Sequence, residues 1–320
     1  MKTAFIFSGQ GAQYPGMGQE LAAHAPGAAR WFQLATQASG GLELLGLTRE
    51  ELADTRKAQL ATVAVSLAAF TTLQDALAPD LWQQLEADAA VAGFSLGEYS
   101  ALAAAGVIAA GDLFPLIDAR GQAMAEACRQ QPGAMAAVLG MEDIQILSLL
   151  SEDEFIDRVF PANYNCPGQL VIAGYEPDTL KACARLQAAG ARRCLRLKVA
   201  GAFHTPLMDP ARPALIRQAE CYTYREPRYA VFSNFSGDLL SGVSSLPQYM
   251  GQHMCNPVRW TAEIKSLERR GYTDVIEFGP GKVLCGLVQK ISEQLETHHV
   301  EDLASLESTV RRLQEKLQQD

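Results

Sequence analysis

The chain has 320 residues, 48% of them hydrophobic, and a formal net charge of -9. That length suffices for one large core or for a core with an inserted subdomain, and the acidic balance, with no basic run, excludes nucleic acid as a partner. Seven cysteines scattered without a C-x-x-C pair predict a reduced, cytoplasmic protein with no metal site, and no stretch approaches the ~20 apolar residues of a membrane span.

Residues 1–7 form an apolar run that is too short for a signal peptide and meets glycine too soon. They predict a buried first strand. A Gly-rich loop follows, Ser8-Gly9-Gln10-Gly11-Ala12-Gln13 and then Gly16 and Gly18. It lacks the Gly-Lys-Ser/Thr ending of a phosphate loop, and Tyr14 stands where a dinucleotide fingerprint needs glycine. What is left is either a plain tight turn or a loop whose backbone approaches a ligand, with the Gln10 N–H placed to donate there. Residues 17–37 and 47–78 are Ala- and Leu-rich and predict helices joined by a short link at 42–47. Residues 82–88 lead into the next strand.

That strand, 89–92, runs into Gly93-Phe94-Ser95-Leu96-Gly97, and a helical stretch follows over 96–105, ending at Gly106. Strand, sharp turn and helix are the context of a nucleophile elbow. The Ser95 hydroxyl would stand exposed on the turn, and the Leu96 N–H at the helix start would bind a developing oxyanion. The competing reading is a Gly-rich turn with Ser95 as a helix N-cap.

A helix is predicted over 112–128, with Leu113, Leu116, Ile117, Met124 and Ala127 on its apolar stripe. Arg120 falls on the same stripe. No acid lies one turn away, and Asp118 faces elsewhere. A buried guanidinium stays protonated and must find an anion. That anion is a distant carboxylate or a ligand's; the other alternative is an arginine that reaches solvent.

Residues 134–199 have their own rhythm: strand 134–139, helix 142–150, strands 159–163 and 170–173, helix 176–189, strand 194–199. The order β-α-β-β-α-β is that of a ferredoxin-like unit. The sequence therefore predicts an α/β fold. A hydrolase-like core with a parallel sheet and nucleophile elbow spans 1–130 and 200–320, and the ferredoxin-like subdomain is inserted at 131–199.

Gly201-Ala202-Phe203-His204-Thr205-Pro206 comes next, with Thr205 and Pro206 as cap and first position of a helix. The positive end of that helix would help keep His204 neutral, as a general base requires. Of the five histidines, His298 and His299 lie in a polar approach to the C-terminus and His24 in a surface helix. His204 and His253 lie in Gly/Pro-marked loops, and His204 is the expected base for Ser95, the alternative being an ordinary loop histidine. A strand at 229–233, a turn-rich loop at 234–242, a helix opened by residues 253–260, a strand at 274–278 and a helix at 283–294 complete the core. From residue 301 onward, Leu303, Leu306, Val310, Leu313 and Leu317 predict an amphipathic helix packed on the chain's own core.

Assembled in order, these motifs resemble the malonyl-CoA:acyl-carrier-protein transacylases of fatty acid synthesis and the acyltransferase domains of polyketide synthases. The resemblance runs through Gly-Gln-Gly-x-Gln at 9–13, Gly-Phe-Ser-Leu-Gly-Glu-Tyr at 93–99, Arg-Gly-Gln-x-Met at 120–124 and Asn-Tyr-Asn-Cys-Pro-Gly-Gln at 163–169. It continues through Gly-Ala-Phe-His at 201–204, Asn-Pro-Val-Arg-Trp at 256–260 and Glu-Phe-Gly-Pro-Gly at 277–281. It implies that Ser95 is the nucleophile and His204 its base. The N–H groups of Gln10 and Leu96 would form the oxyanion hole, and Arg120 would bind the malonyl carboxylate. Met124, Phe203 and Phe94 would shape the acyl pocket, Phe203 in the form associated with malonyl rather than methylmalonyl selection. A main-chain carbonyl expected at His253 would orient His204 in place of a triad acid, so that the identity of residue 253 would matter little. Phe94 stands where the family usually has histidine.

The implied substrates are malonyl-CoA and a phosphopantetheinyl acyl carrier protein. No bound cofactor is implied, and the protein would be a monomer. An acidic carrier would meet a basic patch, for which Lys181, Arg185, Arg192, Arg193 and Lys198 are candidates. The rival readings are an acyl hydrolase of the same fold, a non-catalytic carrier-docking module and a generic serine esterase.

Overall fold

The computed structural model describes residues 1–199, 201–242 and 245–317. Ala200, the expected start of the second segment of the larger unit, and the last three residues of the tail lie outside the described residues. Ten strands are described: β1 (Thr3–Phe7), β2 (Ala90–Gly93), β3 (Gly133–Leu139), β4 (Val159–Cys166), β5 (Gln169–Tyr175), β6 (Arg193–Arg196), β7 (Ala230–Ser233), β8 (Asp238–Leu239), β9 (Asp274–Phe278) and β10 (Glu296–Val300). They form two separate sheets. One has the order β10-β9-β1-β2-β7-β8 and the other β4-β5-β3-β6.

The six-stranded sheet is parallel from β10 through β7, with only the short β8 antiparallel. Its central strands are buried on both faces, which is why β1 and β2 read as unbroken apolar runs rather than alternating ones. Phe5 and Phe7 point to one side. There they meet Phe70, Trp82, Tyr229 and Phe278 at ring separations of 5.5 to 5.9 Å. Ala4 and Ile6 point to the other, onto Trp260, Ile264 and Val288. The helix Thr55–Ala76 crosses the first face with 16 of its 22 residues buried, so it is apolar nearly all round.

The second sheet is antiparallel throughout and alternates in the way one face per layer demands. Ala136, Val138, Leu170 and Ile172 turn to the helices Asp143–Leu150 and Glu176–Ala188, forming a small core with Phe155 and Leu186. Met135, Ala137, Val171 and Ala173 turn the other way and join the main core. The sheets are tied where Val258 exchanges main-chain bonds with β4: Tyr164 N–H to Val258 O and Val258 N–H to Ala162 O, each 2.9 Å. That tie fixes the inner face of the small sheet as a wall over the C-terminal ends of β1 and β2.

Three local expectations are corrected. A helix had been expected to open at 253–260; instead Leu246–Cys255 is a helix that ends there and the next one starts at Trp260, with Pro247 in the first turn of the former, where a missing N–H costs nothing. His253 is in the last turn of Leu246–Cys255, not in a loop. Residues 296–300 form the edge strand β10 rather than a polar approach to the tail, and His298 is buried against Asp274 at 3.1 Å. The tail helix Leu303–Leu317 packs Leu306 and Leu313 inward as the spacing predicted. No helix among the described residues is long and apolar enough to cross a membrane.

Candidate active site

Gly93 ends β2 and Gly97 opens the helix Gly97–Ala104. A Cβ on Gly93 would lie 2.0 Å from the Gly97 carbonyl carbon, and one on Gly97 would lie 2.0 Å from the Phe7 carbonyl oxygen. The two glycines of the Gly-x-Ser-x-Gly motif are thus fixed by backbone-on-backbone approach. Between them Ser95 has φ 53, in the left-handed region that serine adopts only at a cost of about 1–3 kcal/mol. Among the described residues only three that are not glycine have positive φ. Ser95 and His204, at φ 60, are two of them.

Ser95 Oγ lies 2.6 Å from His204 Nε2. The other ring nitrogen, Nδ1, lies 3.1 Å from two main-chain carbonyls, those of His253 and Asn256. Carbonyl oxygens only accept, so Nδ1 carries the proton and Nε2 is left bare toward the serine hydroxyl. Burial pushes His204 down to about 4, and the Arg120 charge adds to this; the two carbonyls oppose it. The ring is therefore neutral at physiological pH. The cause differs from the one expected: the segment after His204 is a 3-10 helix of 6 residues, Pro206–Ala211, capped by Thr205, and burial dominates.

Ser95, His204, Gln10, Leu96, Arg120, Met124, Phe203 and Phe94 all line one cavity of about 130 Å³, closed on the far side by Met135, Val171 and Asn163 of the small sheet. Neither the Gln10 N–H nor the Leu96 N–H is spent on a bond within the protein among the described residues. Arg120 is 1% exposed. Its Nη1 donates to Gln59 Oε1 at 2.7 Å, its guanidinium lies 5.2 Å from the Tyr99 ring centroid, and its Nε has no partner. Asp118 is bonded to Arg56 at 2.5 and 3.0 Å instead, and Glu98 is held by Tyr249 and Asn234. Among the described residues Arg120 forms no ion pair. A buried cation without an anion is expensive, and this one faces a cavity.

Phe94 stacks edge-on against Trp260, ring centroids 5.6 Å apart at 72°. It also lines a second cavity of about 180 Å³ with Gln10, Asn165, Gln169 and Leu284.

Neither Gln59 nor the buried polar group below Ser95 stands out from the motifs of the sequence. Gln59 carries a visible signal: Thr55, Gln59, Thr62 and Ser66 recur at four- and three-residue steps, a polar stripe on an otherwise apolar helix. Below Ser95, Asn234, Glu98, Tyr249, His253 and Glu263 converge from four elements, and no spacing rule links them. Burial pushes Glu98 up to about 7 and Glu263 well above its ordinary value, and it pushes His253 well down. The His253 side chain is 2% exposed, and its Nε2 lies 3.2 Å from Asn234 Oδ1.

Of the candidate basic patch, Lys181 and Arg185 are engaged by Glu154 and Glu152. Lys198 is exposed. Asp274, Glu296 and His298 approach one another as metal ligands do. The Lys316 ammonium already occupies that place, 2.5 Å from Asp274 and 2.7 Å from Glu296.

The model of the acyl transferase domain family matches residues 4–318. The chain is 36% identical to the malonyl CoA-acyl carrier protein transacylase of Bacillus subtilis over 322 residues, covering 98% of each. It is similar to the crystal structure of the malonyl-CoA:acyl carrier protein transacylase of Xanthomonas oryzae, with TM-score 0.89 and 34% identity, covering 97% of this chain and 98% of that one. A structure of a type II PKS acyl-carrier protein in complex with its malonyl-transacylase also matches, with TM-score 0.89 and 33% identity over 98% of this chain and 100% of that one.

Proposed function

The chain belongs to the acyl transferase domain family of malonyl CoA-acyl carrier protein transacylases, and from that premise we propose how its residues carry out the transfer. The protein moves a malonyl group from malonyl-CoA to the phosphopantetheine thiol of an acyl carrier protein, by way of a malonyl ester on Ser95. His204 Nε2 takes the Ser95 hydroxyl proton as Oγ attacks the thioester carbonyl. The N–H groups of Gln10 and Leu96 hold the oxyanion. The tetrahedral adduct collapses, the C–S bond breaks, and the proton on His204 passes to the departing CoA sulfur. The carrier thiol then enters, gives its proton to His204 and attacks the ester carbonyl, and Ser95 Oγ leaves with that proton. His204 is oriented by carbonyls rather than by a carboxylate, so one neutral imidazole serves both half-reactions.

Arg120 carries the reading. A buried guanidinium without an anion, on the same cavity as the dyad, fits an acyl group that ends in a carboxylate. Met124, Phe203 and Phe94 bound the space around it. The turn at Ser95 reads as the nucleophile elbow of a hydrolase-like core at 1–130 and 200–320. The antiparallel sheet with its two helices reads as a ferredoxin-like insert at 131–199. In this reading the protein acts as a cytoplasmic monomer and needs no bound cofactor. Arg192, Arg193 and Lys198 remain the candidates for meeting an acidic carrier.

Intact-protein mass after brief mixing with malonyl-CoA, or with acetyl-CoA, tests the reading. Wild type gains a malonyl adduct that holo carrier protein discharges, and Ser95→Ala gains none. Arg120→Ala loses about 3 kcal/mol of charge-assisted binding to the malonyl carboxylate. Malonylation then slows about a hundredfold, while acetylation changes little. Equal losses on both substrates would sink the role of Arg120. An adduct or rapid hydrolysis from acetyl-CoA alone would point to an acyl hydrolase.

A further inference from the structure

Asn234 lies directly after β7, fully buried, and the scheme above does not use it. Its Oδ1 accepts the Ser95 N–H at 2.6 Å and the His253 Nε2–H at 3.2 Å. Its Nδ2 donates to the Gly93 carbonyl at 2.6 Å and to Glu263 Oε1 at 2.8 Å. Its main-chain N–H donates to Glu98 Oε2 at 2.8 Å, and its carbonyl accepts the Arg259 N–H at 2.9 Å. The side chain has no bonding capacity left over. Its orientation is forced, because the Ser95 N–H can only donate and the Gly93 carbonyl can only accept; a flipped amide would set like against like at both.

We propose that Asn234 is a positioning residue for acyl transfer, a single buried amide that holds the nucleophile and the carbonyl orienting its base in one register. The proposal rests on the acyl-transfer reading of Ser95 and His204. The Gly93 carbonyl and the Ser95 N–H bracket Phe94, so the amide clamps the chain as it enters the residue with φ 53. On the other side it holds the His253 ring, and the His253 carbonyl holds His204 Nδ1. Loosening Asn234 lets the two reacting atoms drift apart while the Arg120 cavity stays as it was. Asparagine offers an acceptor and two N–H donors at this reach without charge at any pH. Glutamine would add a methylene to a closed site.

Asn234→Asp makes a graded test. A protonated aspartic acid keeps an acceptor for the Ser95 N–H and an O–H donor for the Gly93 carbonyl. An ionised one sets negative oxygen against that carbonyl and against Glu263. The groups facing the position are Glu98 from the helix Gly97–Ala104, Glu263 from the helix Trp260–Arg269, His253 and Tyr249 from the helix Leu246–Cys255, and Ser95 itself. Arg259 reaches it through its main chain, and the Arg120 charge acts on Glu98. Two neighbouring carboxyl groups and burial both favour the protonated form of the new acid. It ionises at a pH where His204 is already neutral.

The experiment measures single-turnover malonylation of Ser95 by intact mass, from about pH 5 to about pH 8, with malonate binding followed by calorimetry. In Asn234→Asp the rate falls as pH rises, in contrast to wild type. It ends about a hundredfold below wild type, the scale of a small misplacement of reacting groups. Malonate still binds at the Arg120 cavity. His253→Leu, which keeps its carbonyl but loses the ring N–H, is slowed, and His253→Gln, which restores a donor, recovers much of the rate. An Asn234→Asp profile parallel to wild type, or malonate binding lost in step with rate, overturns the proposal. Should Asn234→Asp not fold, the His253 pair decides, and equal rates for Leu and Gln overturn it. If wild type itself takes no malonyl group, the acyl-transfer reading fails first and takes the proposal with it.

Discussion

His204 and Arg120 face one cavity, and the charge of one sets the basicity of the other. In the free protein two causes hold His204 near 4, burial first and the Arg120 charge second. In the proposed complex a malonyl carboxylate on Arg120 would cancel the second cause, and His204 would rise. The sign follows. The rate at limiting malonyl-CoA reports the free protein and keeps its value down to about pH 4, whereas the saturated acylation rate reports the complex and begins to fall at higher pH. With acetyl-CoA, which brings no carboxylate, the two acid limbs coincide. Rapid-quench acylation across pH with both thioesters checks this, and coincident limbs with malonyl-CoA would contradict it. Arg120 itself was legible from its place on an apolar stripe. Gln59, which steadies it, was marked only by a faint polar stripe in a helix that otherwise reads as pure core.

The loop that carries Gln10 has one bond of its own, Gly11 N–H to Gln13 Oε1 at 2.6 Å, and is anchored at its start by a neighbouring element. Glu277 at the end of β9 accepts the Ser8 hydroxyl at 3.1 Å, and it accepts the N–H groups of Leu284 and Cys285 at 3.1 and 2.7 Å, where the helix Val283–Ile291 begins. One buried carboxylate thus caps a helix and anchors the start of the glycine loop. Glu277→Gln turns an amide NH₂ toward one of those donors and leaves it unpaired, at a cost of about 1.5–3 kcal/mol. The urea midpoint falls accordingly, and the acylation rate falls with malonate binding unchanged, because the Gln10 N–H loses its anchor. A variant with a lowered midpoint but an undiminished rate would separate the loop from the oxyanion role. Apolar strands buried on both faces, such as β1 and β2, were legible from composition alone. β10 was not: it is an edge strand reading Glu-Thr-His-His-Val, its polar side facing out, and only pairing with β9 makes it a strand.

At the scale of the whole molecule the site lies between two sheets, and no local pattern states where the second sits on the first. The sequence implied both sheets and most of the cavity-lining residues through ordered motifs. It could not show that Val258 ties β4 to the larger layer, nor that Asn234 reaches Ser95 across 139 positions. The same burial that shapes the site gives the fold two opposed pH dependences. Glu98, raised from 4.5 to about 7, keeps its proton in the folded state where the unfolded chain has released it. Its contribution is full below 4.5 and is lost as pH rises through 7. Glu263 acts in the same direction. His204 and His253, both lowered from 6.5, act the other way: the unfolded chain takes up protons below 6.5 that the folded state refuses, so stability is lost as pH falls below that value. The two pairs largely offset each other between 4.5 and 6.5. Glu98→Gln removes one falling contribution and leaves both histidines. Its stability relative to wild type therefore climbs with pH across 4.5 to 7, by up to about 1.4 kcal/mol per pH unit. Urea unfolding of the two proteins over that range measures the difference. Parallel curves would mean that Glu98 is ionised in the folded state and that Tyr249 and Asn234, not a proton, satisfy it.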